Sequence, residues 1–274
     1  MKSSNNKIII FILIISGLFY GCTKRTSNNE LVCSPVTGLE PLLINKKIIL
    51  LGEMHGTKEG PGFVEKIVCH ALGKKLSVSV GLELPYLDEQ VIKTFMKSKG
   101  KASDRAKILN LPFWSQDYQD GRASNAMLGL IASLRALRVD GADVEIFLID
   151  DPSSSDRDIE MAQRVIQKAT EKPSNFLIVL TGNYHNMINK GSGQMGRYVL
   201  DKFEESKVIS LNQNFSGGTA WIDTTGNGAK RTKLSGRGRN QIGIFIDKSR
   251  DEYHGTFEVD SIHYSEPAKN IIDK

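Results

Sequence analysis

The sequence predicts an α/β fold, a mainly parallel sheet flanked by helices with extra C-terminal β strands, on three observations. Four short, nearly continuous apolar runs lie at 48–51, 78–82, 144–149 and 176–180, the pattern of strands buried on both faces. Stretches of helical periodicity separate or follow them at 62–75, 87–97, 125–138 and 157–172, and such alternation implies right-handed crossovers. Beyond residue 205, strand-like runs at 208–211, 218–222 and 242–246 are joined by long Gly-rich polar connections. They are either edge strands of the same sheet or a small β appendage.

The start of the chain reads as an address. A lysine-bearing polar start is followed by an apolar run over 8–20 and then Gly21-Cys22, the layout of a secretory signal peptide over 1–21. The run is shorter than the ~20 residues a spanning helix needs. A small residue before a cysteine at this point resembles the bacterial lipobox, which implies lipidation of Cys22 and an exported protein anchored at the outer membrane or cell surface. Residues 22–44 are then the lipidated cysteine and a polar tether, flexible over 23–30, and 45–274 a single domain. Export permits a Cys33–Cys69 disulfide. Cys69 also falls in the helical apolar stripe of Phe63, Ile67, Val68 and Leu72, where a free cysteine serves as a small hydrophobe. Both readings stand.

Composition bounds the function. A chain of 274 residues with 40% hydrophobic residues and three cysteines rests on an ordinary apolar core, and the lack of any CxxC pair removes a structural zinc reading. The net charge of +5 includes two lysines that precede Cys22 without any acid. The small surplus that remains gives no case for a nucleic-acid partner.

The residues just past each strand carry the chemistry, because open parallel sheets bind ligands at the carboxyl ends of their strands. The first run leads into Gly52-Glu53-Met54-His55-Gly56-Thr57-Lys58-Glu59, the second into Glu83, the third into Asp150 and the fourth into Gly182-Asn183-Tyr184-His185. Glu53 or Asp150 alone would serve as a helix cap, although Ser154 or Asp156 is the better cap for the helix at 157. Two imidazoles converging with carboxylates support general acid–base work, or hold a divalent metal that acidifies a bound water.

The stretch Gly52 to Glu59, which reads GExHGxxE, resembles the GExxHGxxE motif of erythromycin-esterase-like proteins with one residue fewer before the histidine. The second Gly-x-x-His at Gly182 to His185 is similar to that of the wider superfamily, which joins the esterases, the haem-binding lipoprotein ChaN and the Tiki metalloproteases. Gly81-Leu82-Glu83-Leu84-Pro85 looks like its middle element. Phe113-Trp114, Asp120-Gly121-Arg122 and the helix through Arg135 resemble the Trp and Leu-Arg region of the esterase branch. The resemblance spans about 45–215 and implies His55 as general base or metal ligand, Glu53 and Glu59 orienting it, and Glu83 and His185 completing the shell. It further implies Trp114, Arg135, Asn183 and Tyr184 as substrate-binding residues. If a metal is present, His55, Glu53, Glu83 and His185 would hold it. The helices that build a macrolide pocket have no room in this chain, so macrolides are not implied.

Other signals are weaker. Gly191 to Gly196 spells GxGxxG about ten residues after the fourth strand, with no acid near 216 for a ribose. It reads as a loop over the pocket or the start of a helix at 197–203. Lys230, Arg231, Lys233, Arg237 and Arg239 form a basic run without aromatics, the pattern of a solvated loop, and His70, His254 and His263 sit in no cluster. With no Gly-x-Ser-x-Gly elbow a serine nucleophile is disfavoured. The expectation is a hydrolase of ester, lactone or amide bonds using water activated by His55, directly or on a metal, acting on a small molecule. The alternatives are a haem- or metal-binding lipoprotein with Tyr184, Tyr198 or the histidines as ligands, and an inactive structural lipoprotein.

Overall fold

Each apolar run becomes a strand and each helical stripe a helix, in a computed structural model that describes residues 22–25, 31–116, 119–223, 228–239, 241–247 and 249–269. Residues 1–21, read from the sequence as a signal peptide, and residues 26–30, read as part of a tether, lie outside the described residues. The chain runs β1 (Cys22–Arg25), β2 (Leu31–Cys33), α1 (Glu40–Asn45), β3 (Ile48–Glu53), α2 (Glu59–Gly73) and β4 (Val78–Pro85). It continues through α3 (Glu89–Met96), α4 (Ala102–Leu109), α5 (Pro112–Ser115), α6 (Asn125–Val139), β5 (Val144–Asp150), α7 (Arg157–Glu171) and β6 (Phe176–Gly182). Then come α8 (Met195–Lys202), β7 (Val208–Asn214), β8 (Gly217–Ile222), β9 (Lys230–Ser235), β10 (Gly243–Ile246) and β11 (Gly255–Glu258).

Seven strands form one sheet in the order β10-β11-β7-β3-β6-β4-β5. All neighbours are parallel except the β10–β11 edge pair. The two C-terminal alternatives both occur. β7 lies beside β3 and β10–β11 close that edge, whereas β8 and β9 form a separate antiparallel hairpin. Alternate residues of β3 enter opposite cores: Ile49 and Leu51 pack with Phe63, Val64 and Ile67 of α2, and Ile48 and Leu50 with Met161 and Val165 of α7. That period of two across a sheet covered on both faces explains the uninterrupted apolar runs.

Helix α2 begins at Glu59, three residues before the periodicity suggests. Gly60-Pro61-Gly62 reads as a turn, yet Pro61 lies in the first helical turn, where a missing N–H costs nothing. The domain also begins earlier than residue 45. Val36, Leu39, Leu42 and Leu43 are buried in the core under α2, and Cys22–Arg25 pairs with Leu31–Cys33, so the described residues of 22–44 belong to the folded domain rather than to a tether. Among the described residues no helix is long and apolar enough to cross a membrane.

Cys33 and Cys69 form a disulfide, with their Cα atoms 5.7 Å apart, tying β2 to the buried face of α2. The bridge spans a separation of 36 residues. In the chain-entropy account, closing such a loop stabilises the fold by about 3–4 kcal/mol. The double substitution Cys33→Ser/Cys69→Ser is expected to lower the melting temperature by roughly 6–16 °C, measured by calorimetry. An unchanged melting temperature would show that this corner contributes no constraint.

Candidate active site

At the carboxyl end of the sheet, β3 and β4 finish in carboxylates inside their last turns of pleat. Glu53 and Glu83 are each 3% exposed, and sheet pairing of β3 and β4 with β6 between them sets both beside Gly182. His55, two residues beyond Glu53, turns back between the two acids. Its Nδ1 is 3.0 Å from Glu53 Oε1 and its Nε2 3.4 Å from Glu83 Oε2. The imidazole remains 21% exposed, which leaves one edge of the ring open to a small molecule.

Glu83 is the hub. Its Oε2 accepts the Gly182 N–H at 2.7 Å. Its Oε1 faces Arg122 Nη1 at 3.1 Å, Arg157 Nη2 at 3.2 Å and His185 Nε2 at 3.6 Å. Asp150, fully buried at the end of β5, takes the same two guanidiniums: Arg122 Nη1 at 2.7 Å and Arg157 Nε at 2.9 Å. Asp120 accepts from Arg122 Nε at 2.9 Å and Nη2 at 2.6 Å. His185 is aimed from its other side, because Nδ1 meets Asp158 Oδ1 at 2.9 Å and that oxygen also accepts the Met195 N–H at 2.8 Å. The loop 191–196 thus opens α8 and supplies that N–H.

These contacts set the protonation. Burial raises the Glu83 carboxyl, but the charges of His55, Arg122 and His185 outweigh it and hold Glu83 well below the ordinary carboxylate range. Burial alone would lower the His55 imidazolium. The charge of Glu83 and the hydrogen bond to Glu53 reverse that, and the ring is pushed up to about 10. Glu53 is raised, chiefly by burial, against the opposing pull of His55. The ring is therefore held as the imidazolium at neutral pH.

Close packing leaves no slack around these atoms. A Cβ on Gly182 would lie 2.8 Å from His55 Nε2, and one on Gly60 would collide with Glu53 Oε2. Gly182→Ala should therefore shift the ring while leaving β6 intact. Any turnover that depends on the ring is expected to fall about 100-fold with little change in melting temperature, measured by steady-state kinetics beside calorimetry. Undiminished turnover would place the chemistry elsewhere.

Of the residues expected at the site, Glu53, His55, Glu83 and His185 are brought together, and three others are not. Glu59 accepts the His263 backbone N–H at 2.9 Å and lies 2.9 Å from the His263 ring, so its carboxylate is spent on the C-terminal segment. Trp114 is 1% exposed in the main core. Arg135 donates to the Ser98 carbonyl at 3.0 Å and lies over the Phe95 ring, which makes it a clamp on α3. Tyr184 is 59% exposed beside His185. The Asn183 side chain is exposed, and its carbonyl accepts the Tyr253 hydroxyl at 2.8 Å.

Arg157 and Asp158 carried no sequence signal beyond their place at the start of a helix. Asp150 and Arg122 were visible as a strand end and a motif-like triplet, without their shared partner. The ligand set expected for a divalent metal does not fit this arrangement. Both oxygens of Glu83 are engaged by N–H donors, and both ring nitrogens of His55 face carboxylates. Among the described residues no group of three or more His, Cys, Asp or Glu side chains is placed to hold a metal ion.

No family model matches the chain, and no curated protein does. Solved structures do. A point mutant of the erythromycin esterase EreC in its open conformation aligns with a TM-score of 0.58 at 12% identity, over 85% of this chain and 94% of that one. A succinoglycan biosynthesis protein aligns at 0.58 and 9% identity, over 85% and 93%. A Bacillus cereus protein aligns at 0.56 and 9% identity, over 84% and 92%. At such identities the likeness is one of fold alone, and this chain shares its fold with these three structures.

Proposed function

We propose that this chain, carrying the erythromycin-esterase fold, is an exported lipoprotein that hydrolyses an ester, lactone or amide bond with water activated at His55. The observation that carries the reading is the imidazole held between Glu53 and Glu83 with one edge open at the crevice of a parallel sheet. Glu53 fixes the tautomer in which Nδ1 bears hydrogen, and Nε2 is then the base. Water attacks the carbonyl carbon and gives its proton to Nε2. Collapse of the tetrahedral intermediate breaks the bond to the alkoxide or amine, which leaves with that proton. Glu83, held ionised by the charges of His55, Arg122 and His185, stabilises the imidazolium formed in between, and Asp158 holds His185 against it from the other side. Export and anchoring through Cys22 are supported by the leader-like run 8–20 and by the Cys33–Cys69 disulfide, a bond of oxidising compartments.

The test is a pH–rate profile on a panel of simple esters and lactones. The resting ring is protonated, so the active base form grows as pH rises towards about 10. Between pH 7 and 9 kcat/KM is expected to rise roughly 100-fold, one decade per pH unit. A rate that falls over that range would make His55 an acid and overturn the base assignment. Stability moves the other way. A ring pKa raised from 6.5 to about 10 gives a contribution that is complete below 6.5 and is lost as pH rises through 10.

A second reading, haem capture, is favoured by one feature: Tyr184 stands 59% exposed at the mouth beside His185. A Soret shift on haem titration that is lost in Tyr184→Phe, without ester turnover, would select it.

A further inference from the structure

Away from the His55 crevice, a groove of about 520 Å³ runs along the start of α2. Lys58, Gly62, Phe63 and Lys66 form one wall, and Ile242 and Val259 face them. Its floor is apolar: Phe63 and Val259 are core residues, and Ile242 is 42% exposed. The acids at its rim do not neutralise the lysines, since Glu59 is paired with His263 and Asp260 stands in solvent. Neither Lys58 nor Lys66 has an ion-pair or hydrogen-bond partner for its ammonium among the described residues. Lys66 is half-buried, and desolvation lowers its pKa without an opposing carboxylate, the situation an incoming anion relieves. A Cβ added at Gly62 would meet nothing within 4 Å, so that position opens straight into the groove.

We propose that this groove binds a single-chain amphiphile whose anionic head, a carboxylate or a phosphate, meets Lys58 and Lys66 while its alkyl tail lies over Phe63, Val259 and Ile242. The volume falls within the range of small-molecule sites, which pair apolar walls with a few placed polar groups. The two parts of the ligand are read by different walls, so both are needed. The site is separate from His55 and does not depend on hydrolysis.

The experiment is isothermal titration of the full chain with dodecanoate, dodecyl phosphate and dodecanol, each below its micellar concentration. Saturable binding of at least one acid is expected, with dodecanol about tenfold weaker or more. Lys58→Gln/Lys66→Gln should weaken the acids by about tenfold. Gly62→Leu, which replaces a helical glycine by a better helix former, should fill the groove and abolish binding while the melting temperature holds or rises. His55→Ala should leave binding unchanged, which separates this site from the catalytic proposal. The proposal is overturned if neither acid saturates, if dodecanol binds as tightly, or if Gly62→Leu binds like the parent. The two acids, compared with each other, identify the preferred head group.

Discussion

His55→Ala is expected to lower hydrolysis of the best ester or lactone by about 10²–10⁴-fold, the usual contribution of a positioned general base, while the protein stays folded. The fold survives because His55 lies beyond the last residue of β3 and belongs to neither core. The substitution leaves two acids near one another, Glu53 and Glu83, without the cation between them. Glu53, already raised by burial, takes up a proton and removes the repulsion. Turnover by purified variant and parent, with circular dichroism of both, checks the result. Equal rates in the two proteins would remove His55 from the chemistry, and loss of the circular dichroism signal would turn the reading to Gly182→Ala, which displaces the same ring by a different route.

Glu83→Ala should produce the largest loss of stability. The carboxylate is 3% exposed and is shared by two guanidiniums, two imidazoles and a backbone N–H. Breaking a buried ionic network by removing one partner typically costs about 3–5 kcal/mol, because Arg122 and His55 are left desolvated without it. Urea unfolding at fixed pH, with the disulfide intact, measures the difference, and a loss below about 1 kcal/mol would mean that water replaces the carboxylate freely. Glu83→Gln separates stability from chemistry. Its amide oxygen still accepts from Gly182, so less stability is lost. Its missing charge removes the strongest influence holding the His55 ring protonated, and the pH–rate midpoint should move below about 10 with a lower plateau.

The elements themselves were legible along the chain. Strands β3, β4, β5 and β6 and helices α3, α6 and α7 lie within a few residues of their predicted spans, because a period of two or of 3.6 is decided by neighbours in sequence. Gly52-Glu53-Met54-His55 and Gly182-Asn183-Tyr184-His185 were legible for a related reason: polar residues that interrupt an apolar strand at its end mark where a parallel sheet opens to solvent. Strand β11 was missed. Its four residues are short and follow a polar stretch, and its place is set by pairing with β7 and β10.

By itself, then, the sequence determined the layered α/β class, the four strand ends and the candidate pair of His55 and His185. Tertiary structure alone decided the partners. Glu83 meets Arg122 across 39 residues, Arg157 across 74 and Gly182 across 99, and no local pattern selects among carboxylates at such separations. Sheet order does, by inserting β6 between β3 and β4 and so bringing both acids to one histidine. The same long-range packing took Glu59 to His263 and Arg135 to Ser98, because a charged group nearing burial goes to the nearest complementary group in space.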